Sequence, residues 1–463
     1  MGRSRVPSLI AVLVVVGASL GACSSASKST RTSAPPTTAS ASPATTATTA
    51  APVLTASFRG VTATEIKIGV VNINYDCIKQ FVDYTFGDQK AISQVFIDDL
   101  NNHGGILGRK IVPVYKNYCP IGNTQALATC TSITEDDKVF AVLGILYDAS
   151  GDADLCLTRD HQTIYDGFEL DQAWIDQSPP GLMVTVDYPR ERRTQVLFDL
   201  LKAQGTLTGK KVAVLTDQNN APSISKVVKP ALDAMGVSQG SEGTVTIVGS
   251  DTSAAQSQLD SYIEKWKGEG VNAIFLGGLF VSSKQFVEKI KKAMPDVLLI
   301  TDGFSSAQLA GQDETASGAK PNPFEGMVTA DGPSESQQWQ LPAVQDCVKT
   351  YQAATGQTVV GPDDLKPDAT GKRVRIWAAI RDFCGQLSFF KQVATKAGPN
   401  LTNDTWQQAL DGFGKIQLVD SPYGSVHKGK YGANDAFGLC VFDSTYGPKG
   451  DFKHQGPIED VPG

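Results

Sequence analysis

The sequence predicts an α/β protein made of two lobes, each a parallel β-sheet flanked by helices. Short β-branched runs alternate with helical patterns after residue 60, and such alternation is typical of parallel strands joined by right-handed crossovers. Two series of this kind are separated by the extended segment 182–189. The roughly 400 residues that contain them are enough for two lobes.

The first series begins with a strand predicted at 65–72, where the β-branched residues include Ile66, Ile68 and Val70. Apolar residues then recur at helical spacing, and glycines at the end of that pattern stop the helix. The elements predicted after the first strand are a helix at 91–102, a strand at 110–115, a helix at 124–135 and a strand at 139–143.

The second series repeats the alternation after the extended segment. Its predicted strands are 211–215, 243–248, 273–276 and 297–300, and its predicted helices are 223–235, 254–269 and 283–293. Single helices between successive strands again predict parallel pairing.

The first residues indicate a lipoprotein signal. An apolar segment at 9–20 follows two arginines, and its last residue begins the run Leu20, Gly21, Ala22 and Cys23. Its dozen or so residues match the apolar core of a signal peptide and are too few to span a bilayer. We predict a signal peptide at 1–22, lipidation of Cys23, and a protein outside the cytoplasm, anchored to the outer face of the cell membrane. The alternative is a plain secretory signal with a chance cysteine.

Residues 23–57 are predicted to form a disordered tether. The segment is nearly all Ser, Thr, Ala and Pro, and its charged residues are Lys28 and Arg31. It lacks the large apolar side chains that would offset the entropy lost on ordering. Its composition leaves glycosylation open.

The charge balance argues against nucleic acid as a partner. The 48 acidic residues outnumber the 41 basic ones, and no dense basic run occurs. The chain has no C-x-x-C sequence, and its four histidines are isolated from one another, so no metal-binding pattern is present. We expect no metal, no cofactor, and a monomer.

Eight cysteines minus the lipidated Cys23 leave seven, an odd number. Outside the cytoplasm most of them should form disulfides. Spacing alone does not fix the connectivity. In order of preference, the predicted pairs are Cys119 with Cys130, Cys347 with Cys384, and Cys77 with Cys156, which leaves Cys440 unpaired.

Several segments resemble a known family. The stretch 97–111, which reads IDDLNNHGGILGRKI, follows the strand at 65–71 as in the type I periplasmic binding proteins of the leucine/isoleucine/valine-binding branch. The resemblance continues through 136–144, through Gly277 and Gly278 after a strand, and through 421–424. It covers essentially the whole chain after the tether.

The resemblance implies the two-lobed type I periplasmic-binding-protein fold, with three crossovers between the lobes. The implied first lobe is 60–186 plus 332–420, and the second is 187–331 plus 421–463. It also implies a small-molecule ligand held between the lobes and an ABC permease as partner.

Ligands of open α/β sheets bind beyond the carboxyl ends of the strands, and the loops there supply the candidate ligand-binding residues. They are Tyr75, Tyr147, Asp148, Ala149, Gly167, Phe168 and Glu169 in the first lobe, and Asn219, Asn220, Phe280 and Asp302 in the second.

The chain departs from the amino-acid binders that it resembles. Those proteins offer hydroxyls to the ligand carboxylate at the position that aligns with Asp148, where a carboxylate would repel such a ligand. Asp302 aligns with the acidic residue that receives the ligand ammonium. An acidic, aromatic cleft favours a cationic, amide or polyol-like ligand over leucine.

The predicted function is that of a solute-binding lipoprotein, which captures a small polar ligand (amino-acid-like, amide or related) and delivers it to the permease. One alternative is a ligand-sensing or interaction lipoprotein without a dedicated transporter. A cell-surface hydrolase fits less well, because the chain has no H-E-x-x-H or phosphate-loop sequence. We therefore expect no enzyme activity.

Overall fold

The computed structural model describes residues 54–463, except 80, 81, 83, 147–149, 169, 219, 248–251 and 370. The predicted signal peptide, Cys23 and the tether up to residue 53 lie outside the described residues. Within the described ranges, no helix has both the length and the apolar character needed to cross a membrane.

Strands and helices alternate along the described chain, as predicted. In chain order the strands are β1 (Glu65–Ile73), β2 (Tyr84–Thr85), β3 (Lys110–Tyr118), β4 (Ala141–Gly144), β5 (Ile164–Asp166), β6 (Met183–Val184), β7 (Lys211–Asp217), β8 (Ser238–Gln239), β9 (Gly243–Val245), β10 (Ala273–Gly277), β11 (Leu298–Thr301), β12 (Val328–Asp331), β13 (Arg373–Val374), β14 (Gly414–Lys415), β15 (Ser425–Val426), β16 (Ala436–Asp443), β17 (Asp451–His454) and β18 (Glu459–Asp460).

The helices are α1 (Tyr75–Ile78), α2 (Gln89–Asn102), α3 (Thr124–Thr131), α4 (Asp152–Leu155), α5 (Gln172–Gln177), α6 (Arg190–Ala203), α7 (Ala221–Ala234), α8 (Ser253–Glu269), α9 (Lys284–Ala293), α10 (Phe304–Ser317), α11 (Glu335–Gln340), α12 (Pro342–Thr355), α13 (Ile376–Ala397) and α14 (Asn403–Asp411). Two π-helical segments, Ser132–Asp136 and Cys156–Asp160, extend α3 and α4.

The first sheet has five parallel strands in the order β3-β1-β4-β5-β6. β1 pairs with β3 along its whole length, from Glu65 opposite Lys110 to Ile73 opposite Tyr118. Because β1 lies between β3 and β4, five of its nine residues are buried. Residues of α2, α12, α13 and α14 share one apolar core with this sheet.

The second sheet has the order β17-β16-β12-β11-β10-β7-β8, with β9 also paired to β7 and β18 to β16. Its strands from β7 to β12 are parallel, but β16 and β17 run antiparallel. The sequence prediction had no antiparallel strands. They arise because β16 enters this sheet directly from the last crossover, without a preceding helix to reverse its direction.

Three passages of the chain connect the two sheets, and their backbones bond to one another. Thr185 of the first passage bridges Gly432 of the third, and the Asn434 amide donates to the Asp187 carbonyl at 3.2 Å. The third passage packs partly with the first sheet, since Val426 lies in the first core. The predicted lobe boundary at residue 421 stays a prediction.

One predicted disulfide is confirmed. Cys347 and Cys384 are bonded, with their Cα atoms 6.3 Å apart, and join α12 to α13. Cys440 is buried and free, as predicted.

The other two predicted pairs are wrong. The bonds join Cys77 to Cys119 and Cys130 to Cys156, instead of Cys119 to Cys130 and Cys77 to Cys156. Parallel pairing of β1 and β3 places their carboxyl ends side by side, so the cysteines that follow the two strands meet. α3 packs against α4, which brings the remaining two cysteines together. Proximity in the sheet therefore outweighs proximity in sequence.

Candidate functional site

The structure locates six of the eleven predicted ligand-binding residues. The other five, Tyr147, Asp148, Ala149, Glu169 and Asn219, lie outside the described residues. The six that are described all follow, or lie close to, the carboxyl end of a strand: Tyr75 after β1, Gly167 and Phe168 after β5, Asn220 after β7, Phe280 after β10 and Asp302 after β11.

In the second sheet, Asn220 and Asp302 converge on Gly278. The Asn220 side-chain amide donates to Asp217 at 2.6 Å, and a Cβ at Gly278 would lie 2.5 Å from that amide nitrogen. The Gly278 amide donates to an Asp302 carboxylate oxygen at 2.6 Å. Glycine is required here because the backbone has a φ of 106° and two side chains press against it.

The Asp302 carboxylate is engaged inside the protein. Its second oxygen accepts the Thr194 hydroxyl at 3.0 Å, and Arg193 donates to its backbone carbonyl at 3.0 Å. Burial raises the pKa of Asp302. The residue predicted to receive a ligand ammonium thus also fixes the ends of β10 and β11 to α6.

Gly167, Phe168 and Phe280 pack into their own sheets. The Gly167 amide donates to the Val184 carbonyl at 3.0 Å, and Phe168 packs on the first core. Phe280 meets Phe286 edge to face, with ring centroids 5.0 Å apart. These contacts hold the loops in place and leave part of each phenylalanine exposed.

Tyr75 belongs to an aromatic cluster at the carboxyl edge of the first sheet. Its ring centroid lies 5.8 Å from Tyr84 and 5.3 Å from Phe86. The Arg375 guanidinium covers Tyr84 at 5.5 Å and Phe86 at 5.9 Å, and it forms an ion pair with Glu335. Burial raises the pKa of Tyr75. The sequence prediction missed these partners, although the alternation of Tyr84 and Phe86 is a strand signal.

A cavity of about 440 Å³ opens beside this cluster, at the carboxyl ends of β1 and β3 and the start of α2. Its size falls within the range of small-molecule sites. Most of its lining is polar, and the residues that line it are Asn72, Ile73, Asn74, Tyr75, Asp76, Thr85, Gly87, Asp88, Gln89, Lys90, Tyr115, Lys116 and Asn117.

The sulfurs of Cys130 and Cys156 and a ring nitrogen of His161 lie within 4.8 Å of one another. The two sulfurs form a disulfide, and metal ligation by cysteine requires thiolates. This group therefore offers no metal site in the oxidised protein.

The crossovers between the sheets carry acidic side chains. Burial raises the pKa of Asp187 to about 7; Arg193, at 4.0 Å, opposes the shift, and Asp331 and Asp420 add to it. Burial also raises the pKa of Asp420. The Tyr188 hydroxyl donates to the Asp331 carboxylate. Repulsion between acids on the chain passages that link the lobes thus grows as the pH rises.

Asp187→Asn is expected to flatten the pH dependence of stability. Because the folded pKa of Asp187 lies above its usual value of 3.8, its contribution is full below about pH 4 and is lost as the pH rises through about 7. We expect wild type to lose about 2 kcal/mol through this group between pH 5 and 8; the full shift would give roughly 4 kcal/mol. The smaller figure reflects mainly the narrower pH window, which alone gives roughly 2.6 kcal/mol, and it also allows for solvation, since the side chain is 26% exposed.

The measurement is urea unfolding of wild type and Asp187→Asn at several pH values. Asp199→Asn is the matched control, because Asp199 is exposed on the nearby α6. It should keep the wild-type slope. An Asp187→Asn variant with the wild-type slope would show that Asp187 is ionised without penalty.

Sequence comparison matches more than half of the chain to one family. A profile of the family described as "Periplasmic binding protein" matches residues 84–371. A comparison with curated proteins finds no match.

Solved structures with a similar fold cover most of the chain. A solute-binding protein of an ABC transporter from Rhodopseudomonas palustris BisB5, in complex with 3,4-dihydroxybenzoic acid, has a TM-score of 0.57 at 16% identity, covering 86% of this chain and 98% of that one. A fatty acid ABC transporter substrate-binding protein from Thermomonospora curvata has 0.60 at 16%, covering 87% and 94%.

A leucine-binding protein from Thermotoga maritima has a TM-score of 0.58 at 12% identity, covering 84% of this chain and 97% of that one. At such identities the likeness shows the fold alone. It confirms the predicted two-lobed architecture of parallel sheets flanked by helices.

Proposed function

Because the chain belongs to the periplasmic binding protein family, in its type I, branched-chain amino acid-type branch, we propose that it is an extracytoplasmic solute-binding lipoprotein. It encloses a small polar ligand between two lobes and delivers it to an ABC permease. The family implies a location outside the cytoplasm, and its members bind solutes without catalysing reactions. Anchoring through a lipid on Cys23 and a monomeric state are parts of the proposal.

The family match across both sheets carries the proposal. Its span, 84–371, begins at β2 and includes every strand from β3 to β12. Lobes joined by chain crossovers can close around a ligand by bending at those crossovers. We propose lobes of 60–186 with 332–420 and of 187–331 with 421–463.

The cavity beside β1 supports a neutral polar or amide ligand. The side-chain-amide residues Asn72, Asn74, Gln89 and Asn117 contribute to its lining. The lining also holds two acids and two lysines, of which Lys116 pairs at 2.6 Å with Asp137 outside the lining. Amides both donate and accept hydrogen bonds, which suits an uncharged polar solute. The similar structures bind ligands as different as a benzoic acid and leucine, so they favour no single solute.

The eleven predicted residues stay the proposed ligand-binding residues; of the six that the structure describes, Tyr75 alone lines this cavity. Asp302 contributes through the Gly278 backbone that it holds, since its own oxygens accept internal hydrogen bonds. Tyr75 contributes the wall shared by the aromatic cluster and the cavity.

A thermal-shift screen of the full chain tests the proposal. The panel contains amino acids, amides, polyamines, sugars and nucleosides. A solute present at a hundred times its dissociation constant should stabilise the folded protein by about 2.7 kcal/mol. We expect shifts from amides or other neutral polar solutes, and silence across every class would contradict solute binding.

Asn117→Trp locates the site. Asn117 is exposed and lines the cavity at the carboxyl end of β3, so an indole there fills space without disturbing the core. We expect the solute-induced shift to disappear while the melting temperature without solute stays the same. Lys110→Trp is the control, at the exposed amino end of the same strand. If Asn117→Trp kept the full shift, the ligand would bind elsewhere.

A further inference from the structure

A segment of the first lobe reaches across to the second. Residues 359–369 and 371–375, here called the strap, connect α12 to α13. Val359 is buried in the first core, and Arg373–Val374 pairs in parallel with Tyr84–Thr85. Both ends of the strap are therefore fixed to the first lobe.

Two side-chain groups join the strap to the second lobe. Arg373 Nη2 lies 2.9 Å from the Asp313 carboxylate on α10. Lys449, in the connection between β16 and β17, donates its Nζ to the carbonyls of Pro362 at 3.1 Å and Leu365 at 2.7 Å. α10, β16 and β17 contribute side chains to the core of the second sheet. The strap thus makes contacts separate from the three backbone crossovers.

The contacts on the second lobe are polar, whereas Val359 anchors the strap to the first by apolar packing. Asp313 is 45% exposed, whereas the Arg373 side chain is 9% exposed, so water reaches the pair from the carboxylate side and weakens it. Hydrogen bonds to carbonyls exchange with water in the same way. A segment that packs in the core of the first lobe and makes polar contacts with the second can separate from the second lobe without unfolding.

The strap also contacts the candidate site. Arg375, its last residue, covers the rings of Tyr84 and Phe86. Those rings pack against Tyr75, the first residue of the short helix α1 after β1. Residues 74–78 are here called the Tyr75 loop. Movement of the strap relative to the second lobe therefore reaches the wall of the cavity.

We propose that the strap is a releasable fourth connection between the lobes, which holds the closed form through Arg373–Asp313 and Lys449 and couples opening to the Tyr75 loop. The proposal deepens the proposed function and rests on it, since lobe closure around a solute is the step that the strap controls. The strap contacts are made by protein groups, so lobe separation can be measured without adding a solute and tests them independently.

The test is single-molecule fluorescence transfer in the full chain without solute. Dyes are attached through azide-bearing residues at the exposed positions Lys391 on α13 and Lys265 on α8, one on each lobe. We expect Arg373→Gln and Asp313→Asn each to raise the open fraction about five-fold. The open fraction of the double variant should rise by less than the two single effects combined, because both changes remove the Arg373–Asp313 interaction. Lys449→Met should raise it separately.

Salt gives a second readout. Raising the salt from about 0.05 to 0.5 M should increase the open fraction of wild type and leave the Arg373→Gln/Asp313→Asn variant nearly unchanged, because salt screens an ion pair whose carboxylate is exposed. Arg159→Gln is the control, since Arg159 pairs with Asp160 on the surface of the first lobe alone. It should match wild type in both readouts.

The proposed role of the strap would be overturned by unchanged transfer distributions in folded Arg373→Gln, Asp313→Asn and Lys449→Met variants. Additive effects of Arg373→Gln and Asp313→Asn would overturn their pairing. A silent solute panel together with strap-dependent opening would reject solute binding and keep the strap. Solute-induced thermal shifts without strap-dependent opening would support solute binding and reject the strap.

Discussion

Replacing Gly105 with alanine is expected to lower the free energy of unfolding by about 4 kcal/mol. Gly105 has a φ of 65°, and a Cβ there would lie 1.9 Å from the Arg109 carbonyl oxygen. That oxygen accepts the Ile106 amide at 2.8 Å. The turn must therefore open, and a backbone hydrogen bond is lost, to admit one methyl group.

Gly104→Ala is the matched control, one residue earlier. Gly104 also has a positive φ, of 94°, but no atom lies within 4 Å of a Cβ placed there. We expect a cost of about 1 kcal/mol from backbone conformation alone. Urea unfolding of both variants measures the difference. Equal losses would show that the close approach to Arg109 is relieved by a small shift.

The glycine-rich segment that carries the family resemblance is structural in this protein. Asn101 accepts the Ile111 amide at 2.7 Å and donates to the Ile111 carbonyl at 2.9 Å. Arg109 is 1% exposed and donates to the carbonyls of Thr62, Thr55 and Pro399. The segment clamps α2 to β3 and to the start of the described chain. The sequence motif that identified the fold therefore holds secondary-structure elements together and is not made of predicted ligand-binding residues.

Local periodicity predicted well those strands and helices whose packing partners are near them in the sequence. The strand predicted at 65–72 is β1, and the helix predicted at 254–269 is α8. The strand β16 has an apolar run of the same kind, but its antiparallel pairing depends on the crossover that precedes it. Thr185 forms a bridge with Gly432, which is far from it in the sequence. A local pattern contains no information on such a contact.

The position of the candidate site was predictable from the sequence, but the hydrogen-bond partners of its residues were not. Strand ends were identified because a run of β-branched residues stops there, and Asn220 and Asp302 do meet around Gly278. Whether a carboxylate faces solvent or a backbone amide depends on the neighbouring strand. Asp302 binds the Gly278 amide because β10 and β11 are adjacent, which the order of elements along the chain does not fix.

Removing the disulfide beside the candidate site is expected to cost about 4 kcal/mol, the value for a closed loop of this length. Cys77 and Cys119 are 42 residues apart in sequence, and they lock the loop after β1 to the end of β3. A double Cys77→Ala and Cys119→Ala variant avoids unpaired thiols. The loss is read by urea unfolding under oxidising conditions.

Cys440→Ala is the control, because Cys440 is buried without a disulfide. Its loss should be small, and reductant should still destabilise it as much as wild type. The double variant should respond less to reductant, since one cross-link is already gone. A double variant that unfolds at the wild-type urea concentration would contradict the expected cost.

The same variant separates the two restraints on the Tyr75 loop. The Asn74 amide still donates to the Tyr118 carbonyl at 2.8 Å when the disulfide is gone, and Tyr75 still packs on Tyr84. If the disulfide dominates, hydrogen exchange over residues 74–78 should accelerate far more than over α2. If the aromatic cluster dominates, exchange there should stay close to wild type while global stability falls. We expect the first result, because a covalent link limits local opening that ring contacts permit.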